Sequence, residues 1–394
     1  KEINFKSSKS FSTPKRLVFF IKGIPEKIEQ RKKIIKGPNV NVPQAALDGF
    51  IKSNNLGKLD IYKKRLEKGE FYFAETKSKV IYILKELQSI IPEALQSYSW
   101  KKSMKWSVYD LSWGRPLKSI IALFDNKVIN FNFFHLQSSN LTLIDGTNED
   151  KIKKVNSFKS YLSFLKSQNI ILDQEKRKNI IVRKMNNICN TRNLKNNFNE
   201  KLIEEVVNLV EKPNIILGKF DEIYLKVPQE ILIVTMQQHQ KYFPLFDNNN
   251  KLTNLFLLVS NLADKKGYIK TGNQRVIEAR LSDAKFFWDK NKTQSLVKQV
   301  GKLKNLSFFN QLGTFYDRTQ RLRKLASPVS DQLNLSKEKI EIASSICKAD
   351  LVSDLVSEFP ELQGVMGRYF AIEQGFEEDV SMAISEHYLP TGIN

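Results

Sequence analysis

Apolar residues recur along this chain with two different periods, and the change from one to the other marks its elements. A β-branched run, Ile231–Val234, gives way to five consecutive polar residues, Gln237 to Lys241, before the apolar run Tyr242–Phe246 and an Asp-Asn-Asn-Asn turn. The pattern predicts strand, polar elbow, strand. Phe256–Ser260 supplies a third strand. Asn273–Trp288 follows as a helix with Ile277, Leu281, Ala284 and Trp288 on one face. Its opposite face carries Arg275, Ser282 and Phe286, and an aromatic there calls for a second packing partner or a stacking site.

Upstream, Lys15–Lys22 and Lys27–Lys36 read as strands, and Pro43–Asn54 as a helix with proline in its first turn and Ala46, Leu47 and Phe50 on one side. Glu70–Thr76 alternates as a strand, and Lys77–Ile91 reads as a helix ended by Pro92. Ser119–Phe124 and Lys127–Phe133 flank Asp125-Asn126 as a hairpin. From Ser157 to Lys212 the period is helical, with Ile180, Ile181, Met185 and Ile188 on one helix and Asn190–Asn199 as a polar loop after it. Strands return from Ile215 to Ser260, and beyond Trp288 only helices are predicted. The fold class is therefore α+β, with a mixed body over residues 1–290, subdivided near 150 and 212, and an all-helical segment over 291–394.

The helical segment contains Lys348–Phe370 (KADLVSDLVSEFPELQGVMGRYF). Leu351, Leu355 and Val356 line one side of a helix that Pro360 interrupts, and Gly364 and Gly367 permit close packing in the next. Asp350, Asp354 and Glu358 recur at i, i+4 and i+8. With no histidine near them in sequence, this row reads as a solvated or salt-bridged face and not as a metal site. On the preceding helix Arg318 shares the face of Phe315, Leu322, Leu325 and Val329, so it should have an acidic partner, Asp354 or Glu358.

Charge changes the picture more than length does. The net charge is +21, yet from Ala349 onward a single basic residue, Arg368, stands against nine acidic ones. That segment balances at −8, which leaves +29 on residues 1–348. Such an excess suits a polyanion, chiefly nucleic acid, because lysines and arginines that neutralise phosphates release counterions whatever the base sequence. Ser99–Arg115 (SWKKSMKWSVYDLSWGR) places three tryptophans among Lys101, Lys102, Lys105 and Arg115. Interleaved in this way, the rings either stack bases while the cations hold phosphates, or pack a core over which the lysines snorkel. The chain begins with Lys and ends just past a helical pattern, so it reads as a fragment lacking both ends. No apolar run reaches transmembrane length and the start has no signal-peptide core, which predicts a soluble, cytoplasmic protein. Cys189 and Cys347 lie far apart inside helical patterns and read as buried free thiols.

Catalytic motifs do not occur in the sequence: GxxxxGK, GxGxxG, HExxH and GxSxG are all missing. None of the three histidines, His135, His239 and His387, precedes an aspartate. His239 is the one set among polar neighbours, between amides and Lys241, beside Tyr242 and Phe243.

At these residues a resemblance emerges. Met236–Phe246 (MQQHQKYFPLF), Gly272–Trp288 (GNQRVIEARLSDAKFFW), Leu312–Arg321 (LGTFYDRTQR), Lys348–Phe370 and Glu386-His387-Tyr388-Leu389-Pro390, with Phe11–Leu17 (FSTPKRL) and Lys36-Gly37-Pro38 near the start, together resemble the β subunit of the bacterial tetrameric glycine–tRNA ligase. The resemblance implies an α2β2 enzyme whose α subunit forms glycyl-adenylate from glycine and ATP with Mg2+, while the β subunit binds and positions tRNA(Gly). It implies that the helical segment is an HD-like domain, incomplete here at its C-terminus, with Ala349-Asp350 where a His-Asp pair would stand, and that an anticodon-binding domain follows. One segment departs from the family: where a Gly-His-Arg sequence is usual after the hairpin, His135–Asp145 reads HLQSSNLTLID.

The expected RNA-contact residues are His239, Lys241, Arg275, Arg280 and Phe286, with Lys101, Lys102 and Lys105. No catalytic or metal-ligating residue is assigned in this chain. Two other classes of function fit parts of the pattern: a nucleotide phosphohydrolase acting through the helical segment, and an RNA-binding scaffold without a synthetase partner.

Overall fold

The computed structural model describes residues 3–30, 33–54, 56–57, 60–75, 79–144 and 151–390. Backbone contacts divide the chain into two compact units. One comprises the chain up to Phe11 together with Arg16–Ile170, the other Ser12–Lys15 together with everything from Ile171 onward.

The first unit is assembled from small two- and three-stranded sheets and, among the described residues, three helices, α1 Gln44–Ser53, α2 Ile83–Ser97 and α3 Phe158–Ser167. The single strand expected over Lys27–Lys36 is two strands with different partners: Lys27–Gln30 pairs with Lys79–Tyr82, and Ile34–Asn39 pairs with Gly69–Glu75. The helix expected to run from Lys77 to Ile91 starts at Ile83 and passes through Pro92 to Ser97; residues 76–78 lie outside the described residues. An interior proline costs roughly 3 kcal/mol. Here Leu84, Leu87, Ile91 and Leu95 keep α2 helical, because all four pack on the core formed by Leu111, Trp113, Ile129, Phe131 and Phe133. The Asp125-Asn126 turn is as expected, with both residues at positive φ (47° and 64°), and it pairs Leu123–Phe124 with Lys127–Val128. Asn132–Phe133 then leaves that hairpin to pair with Gln137 and Leu136.

The second unit is layered around a three-stranded antiparallel sheet, ordered Asn214–Lys219, Leu252–Ser260, Phe243–Phe246. Side chains alternate across a strand, so Leu257 and Phe243 face one core while Phe256, Leu258 and Phe246 face another. The first core is closed by α4 Gln174–Thr191 and α5 Glu200–Leu209, which contribute Ile181, Met185, Cys189, Val206 and Val207. The second is closed by α6 Gln229–Val234 and α7 Tyr268–Asn291. Burial on both faces explains why these strands read as continuous apolar runs.

Ile231–Val234 is a correction: the run is the body of α6 and not a strand. Four apolar residues fit either state by periodicity, and Pro228 at the N-cap starts a helix that buries Ile231 and Leu232 completely. The polar elbow continues it as a π-helical turn over Thr235–His239, closed by the Tyr242 amide donating to the Met236 carbonyl at 2.8 Å. The long helix agrees with its apolar stripe, Ile277, Leu281 and Ala284 being fully buried and Trp288 nearly so, but it begins five residues earlier than expected. Asp264 explains the early start, since its carboxylate accepts from the Ile269 and Lys270 amides.

Beyond α7 come α8 Leu296–Gln299, α9 Phe315–Gln332, α10 Lys337–Ile346, α11 Asp354–Glu358, α12 Val365–Glu373 and α13 Glu378–Glu386. The surroundings are not wholly helical: Ser307–Phe309 and Gly313–Thr314 form a small antiparallel pair before α9. The core on the α7 side runs from Phe220 to Ile384 and so includes residues on both sides of position 290.

Candidate nucleic-acid interface

The polar elbow is a joint between layers. Lys241, at φ 59°, places its ammonium 3.0 Å from a Glu205 carboxylate oxygen. The His239 ring stacks on Phe359 with centroids 5.4 Å apart, and its Nε2 lies 4.0 Å from Glu361. The Tyr242 hydroxyl lies 2.5 Å from the Asn273 Oδ1, and burial pushes its pKa up to about 12. The elbow's side chains therefore meet groups of α5, of α7 and of the segment around Phe359.

Helix α7 presents a different surface. Arg275 and Arg280 are exposed, and neither enters an ion pair among the described residues. Phe286 is 62 % exposed and makes an edge contact with Phe287. Tyr268, 74 % exposed, falls on the same face as Phe286, five helical turns away. Sequence reasoning misses it, because the apolar stripe by itself starts the helix at Asn273. Gly272, Ala279 and Ser282 lie between the two rings, so a flat aromatic and cationic face is open along this side.

In the first unit the tryptophans of the 99–115 stretch form a core. Trp113 is buried, meets Trp100 edge-on at 5.0 Å and packs on Phe133, while Trp106 meets His135 edge-on. His135 stacks on Tyr109 at 3.7 Å. The rings are thus occupied by one another, and Lys101, Lys102 and Lys105 stand exposed around them, Lys105 lying 3.5 Å from Asp110.

The acidic helices differ from expectation at two points. Asp350, Asp354 and Glu358 do not share a helix, because Ser353 breaks the run and caps α11 by accepting from the Val356 amide. Asp350 is buried, with one carboxylate oxygen accepting from the Gly364 and Gly367 amides at 2.5 and 3.3 Å. A side chain at Gly367 would press on that carboxylate, and Gly364 sits at φ 80° against the Tyr388 ring. Asp354 pairs with Lys290 at 2.8 Å, and Glu358 is exposed. Arg318 forms an ion pair with neither; its guanidinium lies 4.3 Å from the Phe308 ring centroid. An aromatic face, not a carboxylate, is what accommodates the cation on this apolar side of α9.

Around Asp350 the helices enclose a set of titratable groups. Burial pushes Asp350 up to about 6 and, with Arg318 nearby, pulls Lys348 down to about 8. The Lys348 ammonium sits 3.5 Å from the Tyr388 ring centroid. His387 donates from Nδ1 to the Ile384 carbonyl at 2.7 Å, and burial, followed by the charge of Lys348, pulls it down to about 4. Both cysteines are buried free thiols, as expected.

The fold and these surfaces define an α+β chain with cationic, aromatic-bearing outer faces and a charge-paired helical C-terminal part. Comparison with known proteins specifies it further: residues 1–394 match the family described as glycyl-tRNA synthetase beta subunit, and the chain belongs to that family. It is 36 % identical over 394 residues to the glycine–tRNA ligase beta subunit of Rickettsia felis, covering 99 % of this chain and 59 % of the relative. The corresponding subunits of Rickettsia akari and Rickettsia prowazekii are 36 % identical over 386 residues, covering 98 % of this chain and 58 % and 57 % of theirs. The chain therefore spans less than three-fifths of the length of these relatives.

Proposed function

We propose that this chain is the tRNA-handling portion of a β subunit in an α2β2 glycine–tRNA ligase, binding and positioning tRNA(Gly) while an α-subunit partner uses ATP and Mg2+ to activate glycine. The observation that carries this reading is the pairing of a strongly cationic stretch over residues 1–348 with a sequence that contains no nucleotide-activating motif, in a chain of this family. Within the chain, residues 1–290 handle the tRNA. The exposed cations Arg275, Arg280, Lys101, Lys102 and Lys105 meet phosphates and Phe286 offers a stacking face; Lys241 and His239 contribute from the elbow, Lys241 by exchanging Glu205 for a phosphate. Residues 291–394 are the HD-like portion. Here the buried Asp350 caps the amides of Gly364 and Gly367, and Ala349 precedes it, which favours a scaffold over a nucleotide phosphohydrolase. No helix among the described residues is long and apolar enough to cross a membrane, in keeping with work in the cytoplasm.

The test is reconstitution. The purified chain should give no glycine-dependent ATP–pyrophosphate exchange. The full-length β chain should support glycyl-tRNA formation once a glycyl-adenylate-forming α subunit is added, and exchange by the chain alone would contradict the assignment of roles.

A further inference from the structure

Helix α4 has two faces that do opposite things. Ile181, Met185 and Cys189 are buried against the sheet. On the opposite face Lys176, Asn179, Arg183, Asn187 and Asn190 form one exposed ridge at helical spacing. From Lys176 to Asn190 the ridge is roughly 21 Å long at about 1.5 Å per residue. Asparagine is a poor residue for a helix interior, where its amide competes with the backbone, so a row of three on one face is not there for helix stability.

A groove runs along each side of this ridge. One, of about 400 Å³, is lined by Lys178, Val182, Arg183, Asn186 and Glu200 among others. The other, of about 620 Å³, passes from Lys184 and Ile188 over the edge strand at Asn214–Leu217 to Gly267 and Lys270 at the start of α7. Asn187 lines both. Of the charged groups at the margins, Lys178 pairs with Glu200 at 3.2 Å, Lys184 donates to the Pro213 carbonyl, and the Asp264 carboxylate accepts from the Ile269 and Lys270 amides. Arg183 and Lys176 enter no ion pair among the described residues.

We propose that the outer ridge of α4, with the groove on either side, is a contact site for an RNA sugar–phosphate backbone. The inference rests on the reading that this chain binds tRNA, and it assigns that binding a surface. Double-helical RNA is met across a wide, shallow minor groove that displays 2′-hydroxyls, with phosphates along its rims. An exposed helix ridge between two shallow grooves is complementary to that shape. Asn179, Asn187 and Asn190 can each donate to and accept from a 2′-hydroxyl, which lysine cannot, while Lys176 and Arg183 reach phosphates. A protein partner would more readily use the apolar edge strand in the larger groove, by strand addition, and would not need the amides.

The experiment titrates a tRNA(Gly) transcript against the wild-type chain and against the double variant Lys176→Glu/Arg183→Glu over a salt series, with the single reversals Lys176→Glu and Arg183→Glu measured separately and Lys337→Glu on α10 as the control that matches each of them in charge. Both altered side chains face solvent, so the double variant should melt with the wild type. Its affinity should fall, and its slope of log K against log salt should flatten by about two units, one for each phosphate no longer neutralised, while the control keeps the wild-type slope. A benzophenone side chain introduced at Asn187 should cross-link the transcript, a readout that does not depend on a change of affinity. If the wild type binds the transcript but the double variant keeps its affinity and slope and the Asn187 probe gives no RNA adduct, the α4 site is overturned and tRNA binding by the chain stands. If the wild-type chain shows no salt-dependent RNA binding, both are overturned.

Discussion

The ridge of α4 and the helical region around Asp350 both carry charge, and they use it in contrary ways. In the helical region several cations are taken up by neighbours: Lys339 lies between Glu377 and Asp379 at 2.7 and 2.9 Å, Arg323 pairs with Glu341, Lys337 with Asp331, and Lys348 lies over an aromatic ring. On α4 the same helix that seals Arg177 inside, where it donates to the carbonyls of Val207, Ile171, Leu172 and Ser12, holds Arg183 out in solvent six residues later. A paired or buried charge already has its counter-ion and serves the fold. An unpaired one on an outer face keeps its attraction for a partner that arrives from solution.

The contrast can be broken most forcefully at Asp350. Replacing Asp350 with Ala leaves the buried amides of Gly364 and Gly367 without their acceptor, and should cost about 1–3 kcal/mol for each in urea unfolding. Its tRNA affinity per folded molecule should be unchanged. A variant as stable as the wild type would mean that the carboxylate does not hold the helices together.

A smaller effect is expected from pH. Asp350 titrates at about 6 in the fold against an ordinary 3.8, so its contribution to stability is complete below about pH 4 and is lost as pH rises through 6. His387 titrates at about 4 against 6.5; its contribution is complete above pH 6.5 and is lost as pH falls through 4. The two run in opposite directions over the same window and offset each other. His387→Gln removes one of them, so the gap in melting temperature between wild type and variant should widen as pH rises from about 4 to about 6.5. A gap that stays constant would place the imidazole in solvent.

The smallest effect belongs to the exposed pairs. Lys339→Ala removes the ammonium that Glu377 and Asp379 share, yet a surface pair gains little against screening by water and salt. Its unfolding midpoint should be indistinguishable from wild type at physiological salt. A clear loss would show that the acidic helices depend on surface pairing more than on their apolar packing.

Where periodicity is long, the sequence is readable. The stripe Ile277, Leu281, Ala284, Trp288 names the buried face of α7, and Asp125-Asn126 names its turn, because each rests on a local rule. Ile231–Val234 reads as a strand only because four apolar residues carry no period; the start at Pro228 and the burial of Ile231 and Leu232 in one core decide for helix. The carboxylate row of Asp350, Asp354 and Glu358 fails at Ser353, although Ser-Asp is a recognisable helix start. For Arg318 the apolar face of α9 asks for a partner without saying which kind. That partner, the aromatic face of Phe308, lies ten residues away in sequence, across a hairpin that periodicity does not reveal. The α4 ridge is invisible from sequence for a different reason: its amides look like ordinary surface until the grooves beside them are seen.

Central to this picture is the proposal that unpaired cations within residues 1–290 take up a polyanion. It is tested most directly by measuring the affinity of the wild-type chain for a tRNA(Gly) transcript from low to high salt. A linear fall of log K with log salt is predicted, with a slope of several units, about −0.9 per phosphate neutralised on a duplex. A slope near zero, or no binding at low salt, would contradict it.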